Sequence, residues 1–175
     1  LLAGDPSKPA ILLLHGAGPG AHAASNWYHL MPDLAENFFV IAPDLIGFGQ
    51  SEIPEPWPES VMGWIGTRVD QCFGLLEALG VKKAHVVGNS MGGALTLQMM
   101  SEEPDTIDKV VLMGSIGAPG PRTPELIRLL SFYSDPRYAR YRQVMHSFAY
   151  DAEKFEGMEE IVENRYKIAT DPGIM

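Results

Sequence analysis

Short apolar runs alternate along the chain with longer stretches in which apolar residues recur every three or four positions. Residues 10–14, 38–42, 84–87 and 109–113 are runs of the first kind, with the length and branched-residue content of buried strands. Residues 27–37, 61–79 and 92–102 carry the helical pattern. Leu30, Met31 and Leu34 share a face in the first of these, and Gly80 stands where a glycine commonly ends a helix in the second. Asp5-Pro-Ser-Lys-Pro9 reads as a turn, and residues 54–58 as a proline-rich irregular stretch. Strands alternating with helices predict an α/β architecture, a mostly parallel sheet with helices on both faces.

The pattern changes after Gly117. Ala118-Pro-Gly-Pro121 is hinge-like, and only helical patterns follow it. Thr123 is placed to cap a helix whose first residue is Pro124, and Asp151 is a candidate cap for the next one. The division predicted is a sheet-forming core over residues 1–118 and part of a helical cap over residues 119–175. Wound at about 100° per residue, residues 158–169 place Met158, Ile161, Val162, Tyr166, Ile168 and Ala169 on one side. Glu159, Glu160, Glu163, Asn164 and Lys167 fall on the other, and Arg165 lands in the middle of the apolar side. A guanidinium there needs a partner, because an unpaired buried charge is costly. A bound carboxylate would serve in bidentate geometry; a structural ion pair or a snorkelling side chain would serve as well.

Composition narrows the class of partner. Hydrophobic residues make up 46% and charged residues 20% of the 175, the balance of a chain that buries a core. The formal net charge of -9 argues against nucleic acid or an anionic membrane surface as partner, though not against a small anionic substrate met by a local arginine. No apolar run reaches the ~18 residues of a membrane span, and no signal peptide is visible. Cys72 is the only cysteine, so no internal disulfide forms; it reads as a buried helix residue. The expected setting is cytoplasmic.

The chemistry is concentrated at Gly88-Asn-Ser-Met-Gly92, which fits G-x-S-x-G between a predicted strand and a predicted helix. That is the context of the nucleophile elbow of the α/β-hydrolase fold, with Ser90 as nucleophile on a sharp turn. Gly88 and Gly92 leave room for neighbouring backbone, Gly93 lets the helix pack close, and the helix N-terminus directs N–H groups at the site. An oxyanion hole needs two donors: the N–H of Met91, and one from the glycine-rich loop after the first strand, assigned to Ala17. That loop lacks the G-x-G-x-x-G spacing and the lysine of a phosphate cradle. His15 precedes the serine, whereas this fold runs Ser, acid, His, so His15 is read as a brace for its loop. His22, His29, His85 and His146 are read as structural or exposed, without metal-ligand spacing. Asp44 and Ser51 are read as loop-stabilising. The acid and the base are expected beyond Met175 and further strands before Ala10, so the chain is read as truncated at both ends. A chain of that extent is expected to be a poor catalyst and an unstable fold.

His15-Gly-Ala-Gly-Pro-Gly20, Ser25-Asn26, Asp44-Leu-Ile-Gly-Phe-Gly-Gln-Ser51 and Gly88-Asn-Ser-Met-Gly-Gly93 together resemble the meta-cleavage product hydrolases, carbon–carbon bond hydrolases of bacterial aromatic degradation. The resemblance runs from about Pro9 to the end and includes Ser147-Phe-Ala-Tyr-Asp151. It implies a dienoate ring-fission substrate, tautomerised from enol to ketone and then cleaved hydrolytically to a 2-hydroxydienoate and a carboxylic acid. It implies that Asn26 and Asn89 contact the dienoate end and Arg165 the carboxylate or oxo group. No metal or organic cofactor is implied, and homo-oligomers are common in the family. The family often has a tryptophan just before the Ser-Asn pair, where this chain has His22-Ala-Ala24. Met145, Phe148 and Tyr150 are candidates for pocket lining or for packing. An ester or lactone hydrolase is the rival within the fold, and a non-catalytic binding relic the rival outside catalysis. Ser90 in place of an aspartate argues against an epoxide hydrolase or a haloalkane dehalogenase.

Overall fold

The computed structural model describes residues 1–118, 120–151 and 157–171. Pro119 of the hinge-like stretch and the last residues of the predicted cap lie outside them. Backbone contacts divide the chain into two units: residues 1–17 with 22–118, and residues 18–21 with 119–175.

The first unit is built on five strands, β1 (Leu2–Ala3), β2 (Ala10–Leu14), β3 (Phe39–Ile41), β4 (Ala84–Asn89) and β5 (Ile107–Met113), in the order β1-β3-β2-β4-β5. All neighbours are parallel except β1, which pairs antiparallel with β3. Every residue of β2 is buried, because both faces of this central strand are covered. Alternation sends Leu12 and Leu14 to a core shared with Ile41, Val69, Val86, Leu95 and Met99. Ile11 and Leu13 go to the opposite core, with Trp27, Met31, Val40 and Val87.

Four helices belong to this unit: α1 (Ala23–Trp27), α2 (Met31–Ala35), α3 (Val61–Ala78) and α4 (Met91–Glu102). The single helix expected over residues 27–37 is instead the pair α1 and α2. The reason is Pro32, which lacks an N–H and disfavours the helical conformation of the residue before it. The chain turns after Trp27 and restarts with the proline in the first turn of α2. Of the apolar face predicted there, Met31 is buried and Leu30 is exposed. Ser60 caps α3 through its hydroxyl, which accepts from Gly63 N at 3.0 Å. The far end of α3 closes with Gly80 N donating to Glu77 O at 2.9 Å and Val81 N to Leu76 O at 2.8 Å, the Schellman pattern that a glycine in the left-handed region permits.

In the second unit the described regular elements are α5 (Pro124–Leu130), α6 (Tyr138–Ser147), α7 (Met158–Ala169) and a 3-10 turn at Phe132–Ser134. Thr123 Oγ1 caps α5 by accepting from Leu126 N at 3.3 Å. The residues that Asp151 is expected to cap begin outside the described ones; α7 starts after Gly157, which is in the left-handed conformation that suits glycine. Phe132, Tyr141, Met158, Val162 and Ala169 form the unit's own core, with Tyr138, Met145 and Tyr166 packed against it.

Candidate active site

β4 runs straight into the sharp turn that carries Ser90, and α4 begins at the next residue. Ser90 has φ 53° and ψ -112°, and among the described residues it alone has positive φ without being glycine. Such a conformation costs about 1–3 kcal/mol and persists only where neighbours enforce it. Here Ser90 N donates to Met113 O at 2.9 Å, and Ser90 O accepts from Ile116 N at 3.1 Å and Gly93 N at 3.0 Å. The end of β5 and the segment after it therefore hold both sides of the strained residue.

The glycines of the elbow are where backbone approaches backbone. A Cβ on Gly92 would lie 2.2 Å from Leu14 O, and one on Gly88 would lie 2.5 Å from Gly92 O. Thr96, fully buried, donates its hydroxyl to Gly92 O at 2.8 Å within the first turns of α4. Met91 is the first helical residue, so its N–H has no partner within the helix.

Gly16 lies against the nucleophile: a Cβ built on it would be 3.1 Å from Ser90 Cβ and 3.4 Å from Asn89 Nδ2. Ala17 follows, exposed, and its N–H has no acceptor among the described residues. Asn89 Nδ2 donates to Asn26 Oδ1 at 3.2 Å, so the two amides on either side of the serine's neighbourhood are joined directly. Asn26 Nδ2 in turn donates to His22 O at 3.0 Å, anchoring that amide to the start of α1. The structure thus brings Ser90, Asn89, Asn26 and Gly16 together in the first unit.

Asp44 organises the loop after β3. It accepts from Ala23 N at 2.7 Å and Gln50 N at 3.0 Å, and its carbonyl accepts from the Ser51 hydroxyl at 2.5 Å. Gln71 completes the brace, donating to Asp44 O at 2.9 Å and accepting from Ile46 N at 2.9 Å. Sequence reading did not single out Gln71; its signal was a neutral amide among the apolar residues of α3. Cys72 beside it is buried, and desolvation pushes its thiol up to about 12, far from nucleophilic at neutral pH.

His15 is buried against its own loop, His85 lies 3.1 Å from Asp108, and His146 lies 2.9 Å from Glu159. No group of three or more His, Cys, Asp or Glu among the described residues is arranged to hold a metal ion.

Arg165 belongs to the second unit. The amphipathic reading of α7 is visible in its burial: Met158, Val162 and Ala169 are buried, and Glu159, Glu160, Glu163, Asn164 and Lys167 are exposed. Arg165 is half-buried and makes no ion pair among the described residues, and its Nε is a buried donor without a partner. Its neighbour is Tyr141, whose hydroxyl donates to Pro19 O at 2.8 Å. Burial raises the Tyr141 phenol above the ordinary range, and the Arg165 charge offsets part of that rise. A Cβ on Gly20 would lie 1.9 Å from Arg165 O, so α7 packs directly on the backbone of the 18–21 segment. Sequence reading passed over Tyr141, whose signal was an aromatic with a polar tip on the inward face of α6. Of the residues named for lining or packing, Met145 packs in this unit's core, and Phe148 and Tyr150 are exposed.

A strand–serine–helix elbow on a mostly parallel sheet defines a class, and the comparisons agree with it. The sequence profile of the alpha/beta hydrolase fold matches residues 9–145, and the chain belongs to that family. Within it, the chain is similar to meta-cleavage product hydrolases. The solved structure of 2-hydroxy-6-oxo-6-phenylhexa-2,4-dienoate hydrolase from Rhodococcus sp. strain RHA1 is 63% identical with a TM-score of 0.97, covering 99% of this chain and 62% of that one. A meta-cleavage product hydrolase from Pseudomonas fluorescens IP01 is 32% identical with a TM-score of 0.87, over 99% of this chain and 60% of the other. The 2-hydroxymuconate semialdehyde hydrolase of Pseudomonas sp. (strain CF600) is 37% identical over 163 residues, 93% of this chain and 55% of that protein. The chain therefore spans little more than half the length of that curated relative.

Proposed function

We propose that Ser90 is the nucleophile of a hydrolase that cleaves a carbon–carbon bond in a dienoate ring-fission product of aromatic degradation. The observation that carries this reading is the enforced φ of 53° at Ser90, at the mouth of a strand and the start of a helix. The names of the similar proteins supply the substrate class.

In this proposal the dienol substrate is first converted to its keto tautomer. The Ser90 hydroxyl then adds to the ketone carbon, and the N–H groups of Ala17 and Met91 stabilise the oxyanion. Collapse breaks the carbon–carbon bond, releases a 2-hydroxydienoate and leaves an acyl group on Ser90, which water hydrolyses to a carboxylic acid. The steps also need a general base and a carboxylate that orients it. Asn26 and Asn89, already joined, are assigned the dienoate end, and Arg165 the substrate carboxylate. Residues 1–118 are assigned the catalytic core and residues 119–175 part of a helical cap. The partner is a small-molecule dienoate, with no nucleic acid and no membrane partner. The setting is the cytoplasm, and the assembly a homo-oligomer. Among the described residues no helix is long and apolar enough to cross a membrane.

The test is made on the full-length protein. A fluorophosphonate labels Ser90, 2-hydroxy-6-oxo-6-phenylhexa-2,4-dienoate is turned over, and Ser90→Ala abolishes both while leaving the melting temperature near that of the parent. Activity confined to simple esters would replace the carbon–carbon reading with an esterase. Absence of both labelling and turnover would remove catalysis altogether.

A further inference from the structure

Beyond the nucleophile and its donors, we infer that His15 is a positioning residue whose buried imidazole orients the peptide that supplies the Ala17 N–H to the oxyanion. The inference rests on the proposed role of Ser90 and Ala17. His15 is fully buried just after β2, and among its contacts are a backbone N–H and a backbone carbonyl, groups of opposite sense. Its Nε2 receives the N–H of Leu45 at 3.0 Å. Its Nδ1 lies 2.9 Å from Gly16 O. A backbone N–H can only donate and a carbonyl can only accept. The pair therefore assigns the ring: neutral, with its proton on Nδ1 and its lone pair on Nε2. The edge of the ring contact with Phe48, centroids 5.4 Å apart at 81°, fixes the plane in which those two bonds are made.

Gly16 O belongs to the same planar peptide unit as Ala17 N–H, and in a trans peptide the two point in opposite directions. By tying that carbonyl to the buried ring, His15 turns the Ala17 N–H away from the interior. Gly16 itself sits against Ser90. Donation to the carbonyl also polarises the peptide and strengthens its N–H as a donor, since bonded chains of amides reinforce one another. The Leu45 bond does a different job: it anchors the ring to the loop after β3. One side chain thus couples loop anchoring to donor orientation, and the two functions reside on different nitrogens.

That separation makes the inference testable with two variants of the full-length protein. The amide nitrogen of Asn overlays Nδ1 and can still donate to Gly16 O, but the Leu45 acceptor is lost. The amide oxygen of Gln reaches the Nε2 position and can still accept from Leu45, but donation to Gly16 O is lost. With 2-hydroxy-6-oxo-6-phenylhexa-2,4-dienoate as probe, His15→Asn, which keeps the bond to Gly16 O, is expected to lose much less kcat than His15→Gln. His15→Gln is expected to lose kcat roughly 10- to 100-fold with KM little changed, short of the ~10²–10³ lost when an oxyanion donor is deleted. Equal losses in two folded variants, or no loss in either, would overturn the inference. A measurement on the unsubstituted protein guards against variants that fail to fold: nitrogen NMR of His15 should show the proton on Nδ1, and a proton on Nε2 sinks the idea. If the unsubstituted protein neither turns over the probe nor labels at Ser90, the hydrolase reading falls first and this inference with it. Normal labelling with indistinguishable variants removes only the role of His15.

Discussion

At the scale of single residues, the same side-chain chemistry takes on different work according to its surroundings. Arg165 and Arg142 both lie on helices of the second unit. Arg142 is exposed and saturated by Glu159. Arg165 is half-buried, next to Tyr141, with a buried Nε that has no partner among the described residues. A buried unsatisfied donor is unfavourable by about 1–3 kcal/mol, more when charged, unless something fills it. A substrate carboxylate would fill it, and a lysine would not reproduce the planar fork. Arg165→Lys in the full-length protein is therefore expected to lower kcat/KM about tenfold or more, with melting nearly unchanged. Steady-state kinetics identical to the parent would take Arg165 out of the substrate site.

At the scale of elements, α4 lies against β2 with no room for a side chain at the contact. Gly92→Ala would place a methyl group 2.2 Å from Leu14 O, against backbone that cannot rotate away. Overpacking of this kind costs about 1–3 kcal/mol, and occasionally more. Gly66, in α3, offers the contrast, because nothing lies within 4 Å of a Cβ built there. Alanine there should stabilise by about 0.5–1 kcal/mol through helix propensity. Urea unfolding of the two variants should shift in opposite directions; a shift of the same sign in both would mean that close approach is not what the elbow glycine provides.

At the scale of the whole molecule, β5 is the end strand of the sheet among the described residues, and Val111, Leu112 and Met113 on it are 54%, 43% and 45% exposed. An apolar edge strand is a template for another chain. The 175-residue chain expressed by itself is therefore expected to scatter light increasingly with concentration. Val111→Lys should suppress that association, since a charge on an edge opposes strand addition. Scattering unchanged by the lysine would locate the sticky surface elsewhere.

What the sequence determined by itself was local. The apolar runs set β2 to β5, which form where expected within a residue or two, although β5 is largely exposed and β1 (Leu2–Ala3) corresponds to no such run; an apolar run is legible without knowing its neighbours. G-x-S-x-G between strand and helix marked the nucleophile turn, since the sterics of that turn are written in its glycines. Pro32 was equally legible, yet the apolar spacing of residues 27–37 masked it, and one expected helix became two. What only the tertiary structure decided was pairwise. The strand order, the Asn89–Asn26 bond across 63 positions and the Leu45–His15 bond across 30 depend on which segments meet. So does the absence of a described partner for the Arg165 Nε. Periodicity reports which face of an element is buried, whereas a hydrogen bond between distant residues depends on the packing of several elements at once, and no single stretch of sequence carries that information.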